Sequence, residues 1–145
     1  MKIIRFGAPG AEKPGLVDAA GALRDLSGHI AEVTGATLQP DELARLKAID
    51  PDTLPLVPEG TRLGVPLSGI GKIMCIGRNY REHAAEMDND LPTEPLLFMK
   101  ANSAINGPYD DVLIPRASVQ MDYEAELAVV IGRRAKYVAE ADALS

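Results

Sequence analysis

The stretch MDYEAELAVVIG, residues 121–132, places three acids at alternating positions beside a run of apolar residues. Successive side chains of a β-strand point to opposite faces, so Asp122, Glu124 and Glu126 would share one face of a strand. A solvated acidic face explains this alternation in an ordinary way. The continuation LAVVIG is apolar on both faces, which instead favours a strand that runs into a covered core.

A divalent metal ion would give these acids a chemical purpose. Like charges about 6–7 Å apart on a half-buried strand repel each other and lose hydration, and a cation offsets both effects. Glu124 and Glu126 could each donate an oxygen to Mg²⁺ or Mn²⁺, leaving the other octahedral positions to water or substrate. The residues alone leave both hypotheses open, a solvated face and a metal site.

A second group of candidate residues lies upstream in the sequence HAAE. His83 and Glu86 are three positions apart, which places them on one face of a helix. A carboxylate that accepts a proton from one imidazole nitrogen leaves the other nitrogen as a base. A solvent-facing pair is the ordinary alternative. Lys100 ends an apolar stretch, where it would reach water by default or, in a cleft, bind a substrate carboxylate.

Composition excludes several classes of protein. The 145 residues carry a net charge of −6, which offers no broad attraction to nucleic acid or to anionic lipid. The single cysteine, Cys75, cannot form an internal disulfide, and no apolar run approaches a membrane span. We therefore expect a soluble cytoplasmic protein with neither a nucleic-acid nor a membrane partner.

The chain divides into two regions, which we predict as a small α+β domain with its linker over 1–67 and a second, β-rich domain over 68–145. The first region contains the strand-like KIIRF and the helix-like PDELARLKAI, which presents Leu43, Leu46 and Ile49 on one face. Proline and glycine breakers then mark the linker. In the second region we predict strands at KIMCIG, LLFMK, VLIP and the opening stretch, a helix within RNYREHAAEM, and the start of a helix over 139–144.

Three motifs in order resemble the fumarylacetoacetate hydrolase family: GRNYREHAAEM, PLLFMKANSAINGPYDDVLIP and DYEAELAVVIG. The match extends from about Lys72 to Leu144. The preceding region is similar to the small amino-terminal domain of bacterial members described as ureidoglycolate lyases or 2-hydroxyhepta-2,4-diene-1,7-dioate isomerases. The resemblance implies an α+β, β-rich fold in which this small domain precedes the first part of a mixed β-roll.

The resemblance also implies roles for particular residues. Glu124 and Glu126 match the E-x-E metal site, which holds Mg²⁺ or Mn²⁺. His83 and Glu86 match the catalytic H-x-x-E dyad, which lies on a short segment that can close over bound substrate. Lys100 matches the lysine of the F-x-K motif that lines the pocket. The substrate-binding candidates Arg78, Asn79 and Tyr80 belong to the G-R-N-Y segment near it. Such enzymes cleave small oxo or hydroxy acids, such as ureidoglycolate or an acylpyruvate, and are usually homodimers.

One departure from the family supports a rival hypothesis. Members continue for a hundred or more residues past the point that corresponds to Ser145, where this chain stops. In that further part, an N-D-x-S-x-R segment supplies a third carboxylate ligand to the metal. Asp122 would lie about 6–7 Å from Glu124 along a rigid strand, which is a poor position for that ligand. The sequence therefore indicates a fragment or a truncated relative. The alternative to an enzyme is a chain that binds a metal ion or a partner chain without turnover.

Overall fold

The computed structural model describes residues 1–87 and 90–144 and divides into two compact units. The first unit contains Met1–Ser68 together with residues from Gly107 onward, and the second contains Gly69–Asn106. The expected α+β, strand-rich class is confirmed. Within the described residues, no helix has both the length and the apolar character needed to span a membrane.

The first unit is built on a three-stranded antiparallel sheet in the order β1-β2-β3. The strands are β1 (Lys2–Phe6), β2 (Lys13–Val17) and β3 (Leu23–Asp25). The predicted strand KIIRF is therefore confirmed as β1. β1 pairs with β2 so that Ile4 lies opposite Gly15, and β2 pairs with β3 so that Leu16 lies opposite Arg24. Two isolated bridges, Phe6 to Leu63 and Arg24 to Leu56, attach the proline-rich linker to this sheet.

The core of the first unit lies beneath this sheet. Leu16, Leu26 and Leu54 are buried there, and Ile30 and Ile49 pack against them. The helix α1 (Pro40–Lys47) begins with a proline, which a first helical turn tolerates because its missing N–H has no partner there. Its Leu46 is buried, as the predicted apolar face requires. A short 3₁₀ helix, Pro51–Thr53, follows, with Asp50 at its N-cap.

The second unit is a β-hairpin with a helix in its connection. β4 (Ile73–Gly77) pairs antiparallel with β5 (Leu96–Lys100), and α2 (Arg81–Glu86) lies between them in sequence. The Asn102 amide donates hydrogen bonds to the carbonyl oxygens of Ile70 and Gly71, at 2.8 and 3.1 Å, which joins the two ends of the unit. The strands at KIMCIG and LLFMK and the helix in RNYREHAAEM are thus confirmed.

The strands predicted at VLIP and at residues 121–132 are wrong. Residues 112–115 and 121–132 contain no strand, and none of the strands in the described part of the chain pairs with them. A strand is stable only where a neighbouring strand satisfies its backbone N–H and C=O groups, so an alternating pattern without a neighbour stays irregular. The helix predicted over 139–144 is reduced to a 3₁₀ turn, Glu140–Asp142, and another 3₁₀ turn spans Asn102–Ala104.

Candidate active site

The G-R-N-Y segment begins at the end of β4 and lines a groove in the second unit. The groove has a volume of about 330 Å³ and lies between the end of β4 and the segment before β5. It is lined by Ile76, Gly77, Arg78, Asn79, Arg81 and residues 91–95. Arg78 has a φ of 51°, in the left-handed region that non-glycine residues rarely adopt. Such strained residues are frequent at functional sites.

The groove combines positive charge with neutral hydrogen-bonding groups. Arg78 and Arg81 supply guanidinium groups, Asn79 an amide and Thr93 a hydroxyl, while Glu94 adds one carboxylate. Guanidinium forks match the geometry of a carboxylate, so this wall suits a small organic acid. Arg78 and Asn79 were predicted from the sequence. Arg81, Thr93 and Glu94 were missed, because their sequence pattern is that of an ordinary polar helix start and loop.

The expected dyad lies on α2. The Nδ1 atom of His83 is 4.0 Å from the Oε2 atom of Glu86, with about half of the His83 side chain exposed. That separation fits an ion pair with protonated histidine but exceeds a hydrogen bond. The structure therefore places both residues on one helix face, as the i, i+3 spacing predicts. Their catalytic roles stay predictions. Tyr80, the last residue of the G-R-N-Y segment, is the N-cap residue of α2.

The register of the hairpin separates Lys100 from the G-R-N-Y segment. Lys100 lies opposite Ile73 at one end of the β4–β5 pair, and Gly77 lies opposite Leu96 at the other. The two ends are four residue steps apart along the strand, a distance of about 13 Å. Lys100 shares a sheet face with Phe98, the Cα partner of Cys75. Its role toward substrate stays a prediction.

The E-x-E residues belong to the first unit. Glu124 and Glu126 lie on an irregular segment and are exposed, so the strand face on which they were expected is absent. No group of three or more His, Cys, Asp or Glu side chains in the described part of the chain could hold a metal ion. By chemistry the two carboxylates still fit a hard divalent cation, for which they would supply two oxygen ligands.

A ladder of alternating charges holds the first unit together. The Arg5 guanidinium binds both carboxylate oxygens of Glu32, at 2.7 and 2.9 Å, and lies 3.6 Å from Glu12. Arg62 lies 3.0 Å from Glu12 and binds both oxygens of Asp110, at 2.7 and 2.5 Å. Hydrogen bonds from Arg62 hold the pKa of Glu12 and of Asp110 below their usual values, and Arg5 does the same for Glu32.

Comparison with known proteins assigns this chain to a family. Residues 72–145, just over half of the chain, match the family described as "Fumarylacetoacetate (FAA) hydrolase C-terminal". The chain belongs to the fumarylacetoacetate hydrolase family. The match contains every residue that the sequence analysis assigned to the site, and it includes both the groove segment and the E-x-E segment.

Two curated relatives cover essentially the whole chain. A Burkholderia cenocepacia protein named as a hydrolase is 51% identical over 144 residues, which is 99% of this chain and 51% of the relative. The 2,4-didehydro-3-deoxy-L-rhamnonate hydrolase of a Sphingomonas species is 50% identical over 145 residues, or 100% of this chain and 49% of that enzyme. The chain therefore spans about half the length of the relatives it matches.

A solved structure shows the same fold. The fumarylacetoacetate hydrolase from psychrophilic Exiguobacterium antarcticum matches with a TM-score of 0.53 at 27% identity. The match covers 77% of this chain and 39% of that one. The expected fold, a part of the fumarylacetoacetate hydrolase architecture, is thereby confirmed.

Proposed function

We propose that this chain carries part of the active site of a hydrolase that cleaves a small 2-oxo acid in the presence of a divalent metal ion, Mg²⁺ or Mn²⁺. The observation that carries the proposal is the groove, where two arginines line a wall suited to a carboxylate in a member of this hydrolase family. Fumarylacetoacetate hydrolase-family enzymes commonly use divalent metals.

We propose an acylpyruvate as the substrate class. The name of the Sphingomonas relative describes an acid oxidised at carbons 2 and 4, which is an acylpyruvate in chemical terms. Ureidoglycolate, a 2-hydroxy acid, is the alternative that the sequence analysis raised. An acylpyruvate presents a carboxylate to the arginines and a second carbonyl, three carbons away, to the attacking water.

The reaction balances as a hydrolysis of one carbon–carbon bond. The oxygen of water adds to the carbon-4 carbonyl, the bond between carbons 3 and 4 breaks, and its electron pair passes to carbon 3. Protonation of that carbon gives pyruvate, while carbon 4 becomes a carboxylate. A bound divalent ion would polarise the oxygen atoms of the acid.

Residues of this chain have separate parts in the proposed reaction. Arg78 and Arg81 bind the substrate carboxylate, and Asn79 and Tyr80 orient it. His83 takes a proton from water and Glu86 stabilises the imidazolium that forms. Lys100 stabilises negative charge on the substrate. Glu124 and Glu126 would hold the metal ion.

An assay of bond cleavage tests this function. The chain is incubated with MgCl₂ and an acylpyruvate, and proton NMR follows pyruvate, with ureidoglycolate and oxaloacetate as competing substrates and the Sphingomonas enzyme as positive control. We expect Mg²⁺-dependent release of pyruvate, abolished by chelator and by Glu124→Gln or Glu126→Gln. Glu140→Gln, an exposed acid outside the motif, serves as the matched control. Cleavage that survives both glutamate substitutions would contradict the proposed metal site.

A non-catalytic chain that binds a metal ion or a partner chain is the second candidate function. The observation in its favour is that Glu124 and Glu126 are exposed on a segment without regular secondary structure. Mg²⁺ affinity that depends on Glu124 and Glu126, without turnover of any of the three acids, would favour this candidate over the hydrolase.

We also propose association into a homodimer. Several large apolar side chains are exposed, among them Leu97, Met99, Leu113, Leu127 and Ile131. Leu97 and Met99 share one face of β5, and exposed apolar surface of this kind is typical of protein interfaces. Sedimentation velocity over a range of concentrations tests this proposal, and a monomer at all concentrations would contradict it.

A further inference from the structure

We infer that Arg62 and Gln39 are positioning residues that anchor both ends of the E-x-E segment on the amino-terminal sheet domain. The segment in question, here called the anchored segment, comprises residues 110–132. The inference rests on the proposed function in so far as Glu124 and Glu126 are metal ligands. The two anchors themselves stand on contacts within the first unit.

The first anchor is the ion pair between Arg62 and Asp110. Its two bonds are parallel, Nε to Oδ1 at 2.7 Å and Nη2 to Oδ2 at 2.5 Å, and each side chain is only 27% exposed. A bidentate pair of this kind fixes direction as well as distance. Asp110 also belongs to a turn, in which its N–H donates to the carbonyl of Gly107 at 3.3 Å.

Arg62 is itself held from the other side. Its Nη1 atom donates to the carbonyl oxygen of Gly7 and to Glu12, both at 3.0 Å. The Glu12 side chain is only 9% exposed and also accepts a hydrogen bond from the N–H of Gly10 at 3.0 Å. Because Arg62 binds β1–β2 loop atoms and Asp110 at once, it joins the start of the anchored segment to the amino-terminal sheet.

Gly107 permits the close approach at this anchor. A Cβ atom added there would lie 2.8 Å from Asp110 Cγ and 3.1 Å from Arg62 Nη2. The first separation is too short for a methyl group, and the second is tighter than most such contacts, so both side chains would have to shift. Alanine at this position would therefore disturb the ion pair without changing any charge.

The second anchor lies at the other end of the segment. The Gln39 Nε2 atom donates a hydrogen bond to the carbonyl oxygen of Gly132, and a Cβ atom added at Gly132 would lie 3.2 Å from the Leu38 carbonyl oxygen. Gln39 occupies the N-cap of α1 but makes no side-chain capping bond there. The Gln39 amide can therefore bind the anchored segment without breaking a capping hydrogen bond of α1.

The two anchors bracket the metal-ligand candidates. Glu124 and Glu126 lie between Asp110 and Gly132, and Gly132 follows Glu126 by only six positions. An extended chain of that length reaches at most about 20 Å, so the second anchor confines the glutamates to a limited volume. Holding both ends lowers the conformational entropy that metal binding must remove.

Hydrogen exchange tests the anchors independently of any activity. Amide exchange of the chain is followed by mass spectrometry in wild type, Arg62→Met, Gly107→Ala and Gln39→Ala. We expect severalfold faster exchange at residues 107–110 in the first two variants and at 130–132 in the third. Arg45→Met is the matched control, because it removes an exposed ion pair with Glu42 on α1. Unchanged exchange at both ends overturns the inference.

Mg²⁺ titration by calorimetry then tests the positioning role. We expect the Mg²⁺ dissociation constant to rise severalfold in Arg62→Met and in Gln39→Ala, to rise further in the double variant, and to stay unchanged in Arg45→Met. Faster exchange with unchanged Mg²⁺ affinity overturns the positioning role. If Glu124→Gln and Glu126→Gln leave Mg²⁺ binding unaltered, the proposed metal site fails instead, and the exchange rates alone decide whether the anchors exist.

Discussion

On α2, the Nδ1 atom of His83 and the Oε2 atom of Glu86 lie 4.0 Å apart, beyond hydrogen-bond distance. Because no hydrogen bond to Glu86 holds the imidazole of His83, the orientation of His83 depends little on Glu86. We therefore expect His83→Gln to lower kcat about 10²- to 10⁴-fold, the range for loss of a general base. Glu86→Gln should cost less.

Steady-state kinetics on an acylpyruvate measure this difference between His83 and Glu86. His29→Gln is the matched control, since His29, the other histidine of the chain, is exposed and lies in the first unit. An equal loss of kcat in both dyad variants would show that the pair closes to a hydrogen bond in the substrate complex.

The groove predicts a change in substrate affinity when its arginines are replaced. Arg78→Gly removes a guanidinium while suiting the φ of 51°, so the backbone is not strained by this variant. We expect Arg78→Gly and Arg81→Met each to raise KM about tenfold with a smaller change in kcat, because a charged hydrogen bond is lost. Arg116→Met, an exposed arginine outside the groove, should leave KM unchanged. An unaltered KM in both groove variants would argue against carboxylate binding there.

The charge ladder predicts loss of stability in acid. Glu12, Glu32 and Asp110 have lowered pKa values in the folded chain, through hydrogen bonds from Arg62, Arg5 and Arg62 respectively. The stability they contribute is present above their unfolded values, 4.5 for glutamate and 3.8 for aspartate, and is lost as pH falls through the folded values.

Thermal unfolding measured from pH 7 to pH 3 checks this dependence. At pH values below about 4.5 the melting temperature should decrease. The decrease should be less steep in Glu12→Gln, which has one carboxylate fewer whose protonation destabilises the fold. Glu59→Gln, an exposed acid outside the ladder, should follow the wild-type curve. Parallel curves for wild type and Glu12→Gln would contradict the linkage.

A close contact between β2 and its neighbours predicts the cost of adding one methyl group. A Cβ atom at Gly15 would lie 2.8 Å from the Arg24 carbonyl oxygen and 2.9 Å from the Phe6 ring. We expect Gly15→Ala to lower the free energy of unfolding by about 1–3 kcal/mol, as overpacking does. Urea denaturation measures this change. Gly28→Ala, with nothing within 4 Å of its added Cβ, is the control, and equal stabilities of the two variants would disprove the contact.

Local patterns predicted the elements whose stability is mostly local or whose partner is near in sequence. KIIRF, KIMCIG and LLFMK form strands because each finds an antiparallel neighbour within the same unit. PDELARLKAI forms α1 because its apolar side chains share one face and Leu46 reaches the core. The order of the three motifs likewise indicated the family without any tertiary contact.

The remaining expectations depended on groups distant in sequence. Residues 121–132 have strand periodicity, yet no strand in the described part of the chain pairs with them. Periodicity reports which face a side chain would take, whereas pairing supplies the hydrogen bonds that make the strand stable. Arg81 in the groove and Arg62 at Asp110 were missed for the same reason, because a lone arginine carries no mark of its distant partner.

Sequence by itself thus determined the family, the α+β class, three strands and the helix α1, and the chemical character of the candidate residues. Tertiary structure alone decided that Lys100 lies at the opposite end of the hairpin from Arg78, and that the E-x-E segment is tied at Asp110 and Gly132. The physical reason is that side-chain chemistry and periodicity are local properties, whereas register and ion-pair geometry depend on which distant backbone and side-chain groups meet.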